Sequence, residues 1–281
     1  MSLLDNELYN SIYLKKLSKD INVIISNSTV PGEGEQKIFK YIKNTDDGIN
    51  VIHGLDADLI MLSMLQYPKE IYLYREYNNK PNFININSFV NCLKEKHKSL
   101  NSIDYVFLSF IMGNDFLPHH YSLYLRQGLL DVVLESYEIV FNKLNERIVI
   151  DYKINKRFLY ELLKELSEKE DDLVLERANS MVYKKLIKHG HSSEDRFDYW
   201  PDYNRNKEVE INFGNDGWRE RYYKVIECED YIEDMCKEYF NGLNWNLRYY
   251  TIDNTNSELV NQRWYYPYLH APLLKDLVDY L

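Results

Sequence analysis

The chain has 281 residues, 45% of them hydrophobic and 28% charged, with a net charge of −10. This composition excludes a disordered polymer and is enough for one large or two ordinary domains. The acidic balance argues against a nonspecific nucleic-acid coater, which needs basic residues to neutralise phosphates. It leaves room for a nuclease, where gathered carboxylates hold cations that invert the local field. The three cysteines, Cys92, Cys228 and Cys236, lack metal-site spacing and are expected to be reduced thiols. The first ten residues are polar and acidic, and no apolar run approaches bilayer length, so no membrane partner is expected. These features lead us to expect a soluble intracellular protein, cytoplasmic before nuclear. The 26 tyrosines supply apolar rings with polar tips, suited to half-buried faces and wet grooves.

The first 120 residues alternate β-branched runs with amphipathic stretches. Residues 21–25 read as a buried strand, and a helix begins near Glu33 and continues through 38–42. A second strand is expected over 49–55, a helix over 57–65 and a third strand over 71–75. This β-α-β-α-β order implies an α/β unit with a parallel sheet, whose ligand site lies beyond the carboxyl ends of its strands. From about residue 120 the texture turns helical, with apolar residues three and four apart over 121–142, 156–168 and 231–250. Residues 190–217, poor in aliphatics, read as a long loop. The expected division is therefore 1–120 for the sheet-bearing part and 121–281 for a helical domain.

Three motifs put acids where strands should end. Pro31 and Gly32 make a turn that brings Glu33 and Glu35 to the mouth of the sheet. Helix capping is the bland account of one such acid. His53-Gly54-Leu55-Asp56-Ala57-Asp58 ends a strand in two aspartates that repel unless a cation or proton sits between them. Asp115 interrupts the apolar run Phe110-Ile111-Met112-Gly113-Asn114-Asp115-Phe116-Leu117-Pro118, where an unpaired acid is costly to bury. Each motif alone reads as structural. Together the five carboxylates form a hard oxygen set suited to Mg²⁺ or Mn²⁺, of the kind two-metal phosphodiester hydrolysis requires.

At these residues the chain resembles the XRN family of 5′→3′ exoribonucleases. The segments 31–37, 54–59 and 113–119 match three family stretches in order. The match continues through Leu125-Arg126-Gln127-Gly128, Trp218 to Lys224, Gly242-Leu243-Asn244-Trp245, Tyr249-Tyr250 and the stretch from Trp264 to Pro272. The resemblance implies a FEN/PIN-like nuclease core followed by a helical domain. It implies two Mg²⁺ ions held by Glu33, Glu35, Asp56, Asp58 and Asp115, and RNA with a 5′-monophosphate degraded to mononucleotides. Lys37, Arg126 and Trp264 are candidate RNA contacts.

The family carries an N-terminal section with two further aspartates and a basic 5′-phosphate pocket, for which this sequence shows no counterpart. A separate N-terminal nuclease half is therefore an expected partner. Gln36 and Gln262 also depart from the family's His and Trp. Two other readings stand beside the nuclease: a non-catalytic RNA-binding or scaffold remnant, and a Mg²⁺ phosphohydrolase without RNA preference. His119, His120 and Trp245 are expected to pack rather than to react.

Overall fold

The structure, a computed structural model, describes residues 23–27, 29–45, 48–77, 80–125, 128–184, 210–251, 261 and 263–281. The first part contains α1 (Gly34–Lys43), β1 (Asn50–His53), α2 (Asp58–Met64), β2 (Ile71–Tyr77), β3 (Lys80–Asn85), α3 (Ile86–Lys96) and α4 (Ser102–Ile111). There follow α5 (Leu130–Leu144), a small hairpin of β4 (Val149–Ile150) and β5 (Lys153–Ile154), α6 (Lys156–Ser167), α7 (Glu170–Lys184), α8 (Trp218–Val225), α9 (Ile232–Thr251) and α10 (Leu274–Tyr280). No helix among the described residues is long and apolar enough to cross a membrane.

The sheet is mixed and three-stranded, in the order β1-β2-β3. β1 and β2 run parallel, pairing Ile52 with Leu73, as the intervening α2 requires. β3 was not foreseen. It returns antiparallel along β2, with Tyr74 opposite Phe83 and Tyr77 opposite Lys80. Its burial alternation is weak because most of it faces solvent. A sheet that is parallel throughout is therefore corrected to one with an antiparallel edge.

A second correction concerns residues 21–25. Val23, Ile24 and Ile25 form no strand, and Ile24 is 62% exposed. No described strand pairs with them, so their β-branched character has no ladder to serve. The expected helix over 121–142 is likewise shorter, beginning only at Leu130. The expected loop over 190–217 lies outside the described residues as far as 209, and 212–217 form turns.

Side-chain caps explain several boundaries. Asn85, Asn101 and Asn155 each accept a backbone N–H three residues on, starting α3, α4 and α6. α5 stops at Asn145, which takes the left-handed conformation at φ 50°. α6 buries Phe158, Leu159, Leu162, Leu163 and Leu166, one continuous face. The main apolar core runs from Phe39 through β2 and α4 to Leu277 of α10, so it crosses residue 120. A smaller core gathers Tyr121, Val174, Phe213, Trp218, Tyr222 and Tyr223.

Several buried polar groups in the helical part are tied to specific partners. Asp104 accepts from the Tyr137 hydroxyl at 2.6 Å, Arg147 at 3.1 Å and the Val149 amide at 3.2 Å. Glu170 accepts the Leu274 amide at 2.8 Å and pairs with Arg219 at 2.9 Å, fastening the start of α10. The buried Arg177 donates to the Tyr121 carbonyl at 2.7 Å, its guanidinium lying 4.1 Å from the Tyr121 ring centre and 4.6 Å from that of Tyr124.

Candidate active site

The first pair of acids stands where α1 begins. Gly32 adopts φ +99°, and Val30 closes a turn onto the Asn27 carbonyl at 3.1 Å. Glu33 occupies the N-cap position but makes no side-chain cap. Its carboxylate instead accepts from the hydroxyl of Tyr249, which is 216 residues away in the chain. Capping therefore does not account for this side chain. Glu35 lies in the first turn and shares a hydrogen bond with Glu33. Burial, then that bond and the charges of Glu33 and Asp56, raise the Glu35 carboxyl above its ordinary range.

The second pair follows β1. Asp56 accepts the Asp58 amide at 3.1 Å and so starts α2, while Arg75 on β2 donates to the Asp56 carbonyl at 2.7 Å. Asp58 is half-buried. Burial raises its carboxyl first, and the charges of Asp56, Asp115 and Glu33 push the same way. A hydrogen bond from Tyr250 opposes them.

Asp115 sits on the turn after α4. Gly113 has φ +90°, and a Cβ there would come within 2.7 Å of the His119 amide nitrogen, so only glycine fits. Asn114 accepts the amides of Phe116 at 3.0 Å and Leu117 at 2.9 Å, and donates to Asn246 at 2.8 Å. The turn that carries the acid is rigid and tied to α9.

Three motifs spread over 83 positions of sequence thus converge. Asp58 interacts with Asp56, Asp115 and Glu33, and Glu35 with Glu33 and Asp56, so all five carboxylates belong to one electrostatic neighbourhood. Among the described residues, no three His, Cys, Asp or Glu side chains are close enough to enclose one metal ion. The donor set is nevertheless chemically suited to Mg²⁺ or Mn²⁺, since it consists of hard carboxylate oxygens that repel one another without a cation between them.

The tyrosines that reach these acids are donors. Burial, then the adjacent carboxylate, holds both the Tyr249 and Tyr250 phenols well above the ordinary range. Tyr249 also stacks on Trp245, with ring centres 5.0 Å apart and planes 12° apart. Phe116 packs 4.7 Å from Trp245 and 5.0 Å from Tyr249, and Trp264 completes the aromatic shelf 5.5 Å from Trp245.

The candidate RNA contacts fare differently. Trp264 is half-buried and donates to Glu238 at 3.2 Å, which orients its ring on the shelf. Lys37 donates to the Asn27 carbonyl at 3.3 Å and braces the turn before Glu33. Arg126 and Gln262 lie outside the described residues. His120 is buried and contacts the Pro272 carbonyl at 2.8 Å, and burial lowers the His119 imidazole to about 3, so both histidines pack. Sequence reasoning missed Arg75 and the contacts of Asn246, Tyr249 and Tyr250 with the acidic motifs. Their signal, a polar stripe on an amphipathic helix, does not say what it meets.

A family model described as XRN 5′-3′ exonuclease N-terminus matches residues 1–77. A second, described as Xrn1 helical domain, matches 100–199 and 188–280, well over half of the chain. The chain belongs to the XRN family. It is similar to a protein named 5′-3′ exoribonuclease 2 from Candida glabrata, 25% identical over 277 residues, covering 82% of this chain and 26% of that protein. The 5′-3′ exoribonuclease 2 of Yarrowia lipolytica is 30% identical over 194 residues, covering 58% of this chain and 19% of the relative. That of Arabidopsis thaliana is 24% identical over 406 residues, covering 92% and 40%. The chain thus spans between about a fifth and two fifths of the length of these XRN relatives. The family match embraces all five acids, and it includes the helix that brings Tyr249 and Tyr250 to them.

Proposed function

We propose that this chain carries the acidic centre of a 5′→3′ exoribonuclease that hydrolyses 5′-monophosphorylated RNA to mononucleotides. The observation that carries the reading is the meeting of Glu33, Glu35, Asp56, Asp58 and Asp115 in one field beyond the end of β1. On this reading the sheet belongs to a FEN/PIN-like core, and the five carboxylates hold two Mg²⁺ or Mn²⁺ ions. Such ions, when bound, supply activation of the attacking water and stabilisation of the leaving oxygen.

The protein's own residues do the rest. Burial first, and the neighbouring acids after it, raise the Glu35 and Asp58 carboxyls, and a cation bound between them would act against that shift. The Gly113–Asn114 turn holds Asp115 in place. The shelf of Phe116, Trp245, Tyr249 and Trp264 offers aromatic rings beside the acids, and stacking on such rings tolerates any base.

The test is incubation of the chain with 5′-phosphorylated RNA and Mg²⁺, with and without the N-terminal part of one of these relatives. Release of mononucleotides, lost in Asp56→Ala and Asp58→Ala, is the expected result. No release in either condition rejects the enzyme. It favours the second reading, a non-catalytic RNA-binding or scaffold remnant, which draws support from the spacing of the acids: no three of them enclose an ion among the described residues.

A further inference from the structure

One helix touches all three acidic motifs. Gly242, Asn246 and Tyr250 of α9 follow at four-residue spacing and Tyr249 lies three residues after Asn246, so all four fall on one side of the helix. Tyr249 donates to Glu33, and Tyr250, whose ring packs against Phe110, stands in the field of the Asp58 carboxylate. Asn246 accepts from Asn114 at 2.8 Å and secures its own geometry by donating to the Gly242 carbonyl at 3.0 Å. Gly242 lets the helix approach the turn carrying Asp115, since a Cβ there would stand 2.5 Å from Leu117 and 2.7 Å from Trp264.

The rest of α9 is anchored independently of the acids. Met235, Cys236, Tyr239, Leu243 and Leu247 are buried, and the Tyr239 hydroxyl donates to the Pro118 carbonyl at 3.2 Å. The acids stand at the outer ends of α1 and α2, whose own anchors, Phe39, Ile42, Leu59 and Leu62, lie on the core side. Ile24, Val30, Ile49, Val51 and Leu55, which flank the first two motifs, are all exposed. A firmly held helix thus meets exposed segment ends, through one hydroxyl-to-carboxylate bond, one amide pair and the ring contacts of Phe110 and Phe116.

We infer that Tyr249 and Tyr250 are positioning residues through which α9 of the helical region sets the spacing of the carboxylates. Hydrogen bonds to charged acceptors are the strong ones, and outer partners of this kind orient ligating carboxylates. The rings are held apart from the hydroxyls, by Trp245 and Phe116 for Tyr249 and by Phe110 for Tyr250. Phenylalanine therefore removes the hydroxyl and keeps the packing. Placement of the acids does not depend on the nuclease reading, but the metal-binding arm of the test does rest on it.

The experiment compares the full chain with Tyr249→Phe, Tyr250→Phe, the double variant and Tyr268→Phe. The last removes a tyrosine-to-aspartate bond, 2.8 Å to Asp234, away from the acidic centre. Amide hydrogen exchange over residues 30–37 and 54–60 is read first. The double variant should exchange about tenfold faster or more there, each single variant mainly in its own segment, with α6 and Tyr268→Phe unchanged. Mn²⁺ binding, followed by electron paramagnetic resonance, should weaken by about 10- to 100-fold in the double variant only.

Unchanged exchange in both segments of a folded double variant overturns the inference, and so does general acceleration that includes α6. If the unmodified chain takes up no Mn²⁺, the metal reading above fails and the exchange arm alone decides the positioning role. If Asp58→Asn abolishes Mn²⁺ uptake but the double variant binds as the parent does, the metal reading stands and the positioning role falls.

Discussion

The acidic edge and the helical body of this molecule are built on opposite terms. In the body, α5 and α6 each bury an apolar face, and the acids packed there, Asp104 and Glu170, each accept three hydrogen bonds. At the edge, β1 buries only Ile52, Val51 is 58% exposed, and the acids face one another. Burial raises all four of these carboxyls, but donors work against the rise at Asp104 and Glu170, whereas neighbouring acids add to it at Glu35 and Asp58. That contrast is what a functional site leaves in a structure.

Four measurements break or sharpen it. The largest effect belongs to the body: Phe158→Ala, at a fully buried position, should cost about 3–5 kcal/mol by denaturant unfolding. A loss under about 1 kcal/mol would mean the helical core is looser than its packing implies. Next is the acid response. Burial holds the His120 imidazole at about 4 against an ordinary 6.5, so the unfolded chain takes up the proton first. Stability is complete above the ordinary value and declines as pH falls through the interval toward 4, by about 3 kcal/mol in all. His120→Asn should flatten that slope in melting curves taken across the interval.

The edge is expected to respond in the opposite sense. Glu35 and Asp58 are raised, so without divalent ions their share of stability falls as pH climbs above the ordinary 4.5 and 3.8. Asp58→Asn should therefore raise the melting temperature at neutral pH, by about 2–4 °C for each kcal/mol relieved. A lower melting temperature would place Asp58 among the structural acids. The smallest effect is Val51→Ala, expected to cost under about 0.5 kcal/mol, because its side chain is mostly in water.

Much of this was legible in the linear chain. The periodic apolar stripes of α6 and α9 announce helices, and the runs over 49–55 and 71–75 announce the strands that form at Asn50–His53 and Ile71–Tyr77. The five acids stand out because two are separated by glycine after Pro-Gly, two lie two apart after a strand, and one interrupts an apolar run. Residues 23–25 misled because β-branched composition reports a capacity for pairing and says nothing of whether a neighbour exists. β3 escaped because a solvent-facing edge strand has no strong alternation to read.

By itself, the sequence determined which residues carry negative charge, which stripes seek a core, and where glycine must relax the backbone, because these depend on side-chain chemistry and neighbours a few positions away. Only the tertiary structure decided that Tyr249 and Tyr250 meet Glu33 and Asp58, and that Asn246 grips the turn bearing Asp115. Such contacts join residues separated by 132 to 216 positions. Their formation is governed by how the apolar faces of β2, α4 and α9 pack together, which no local pattern encodes.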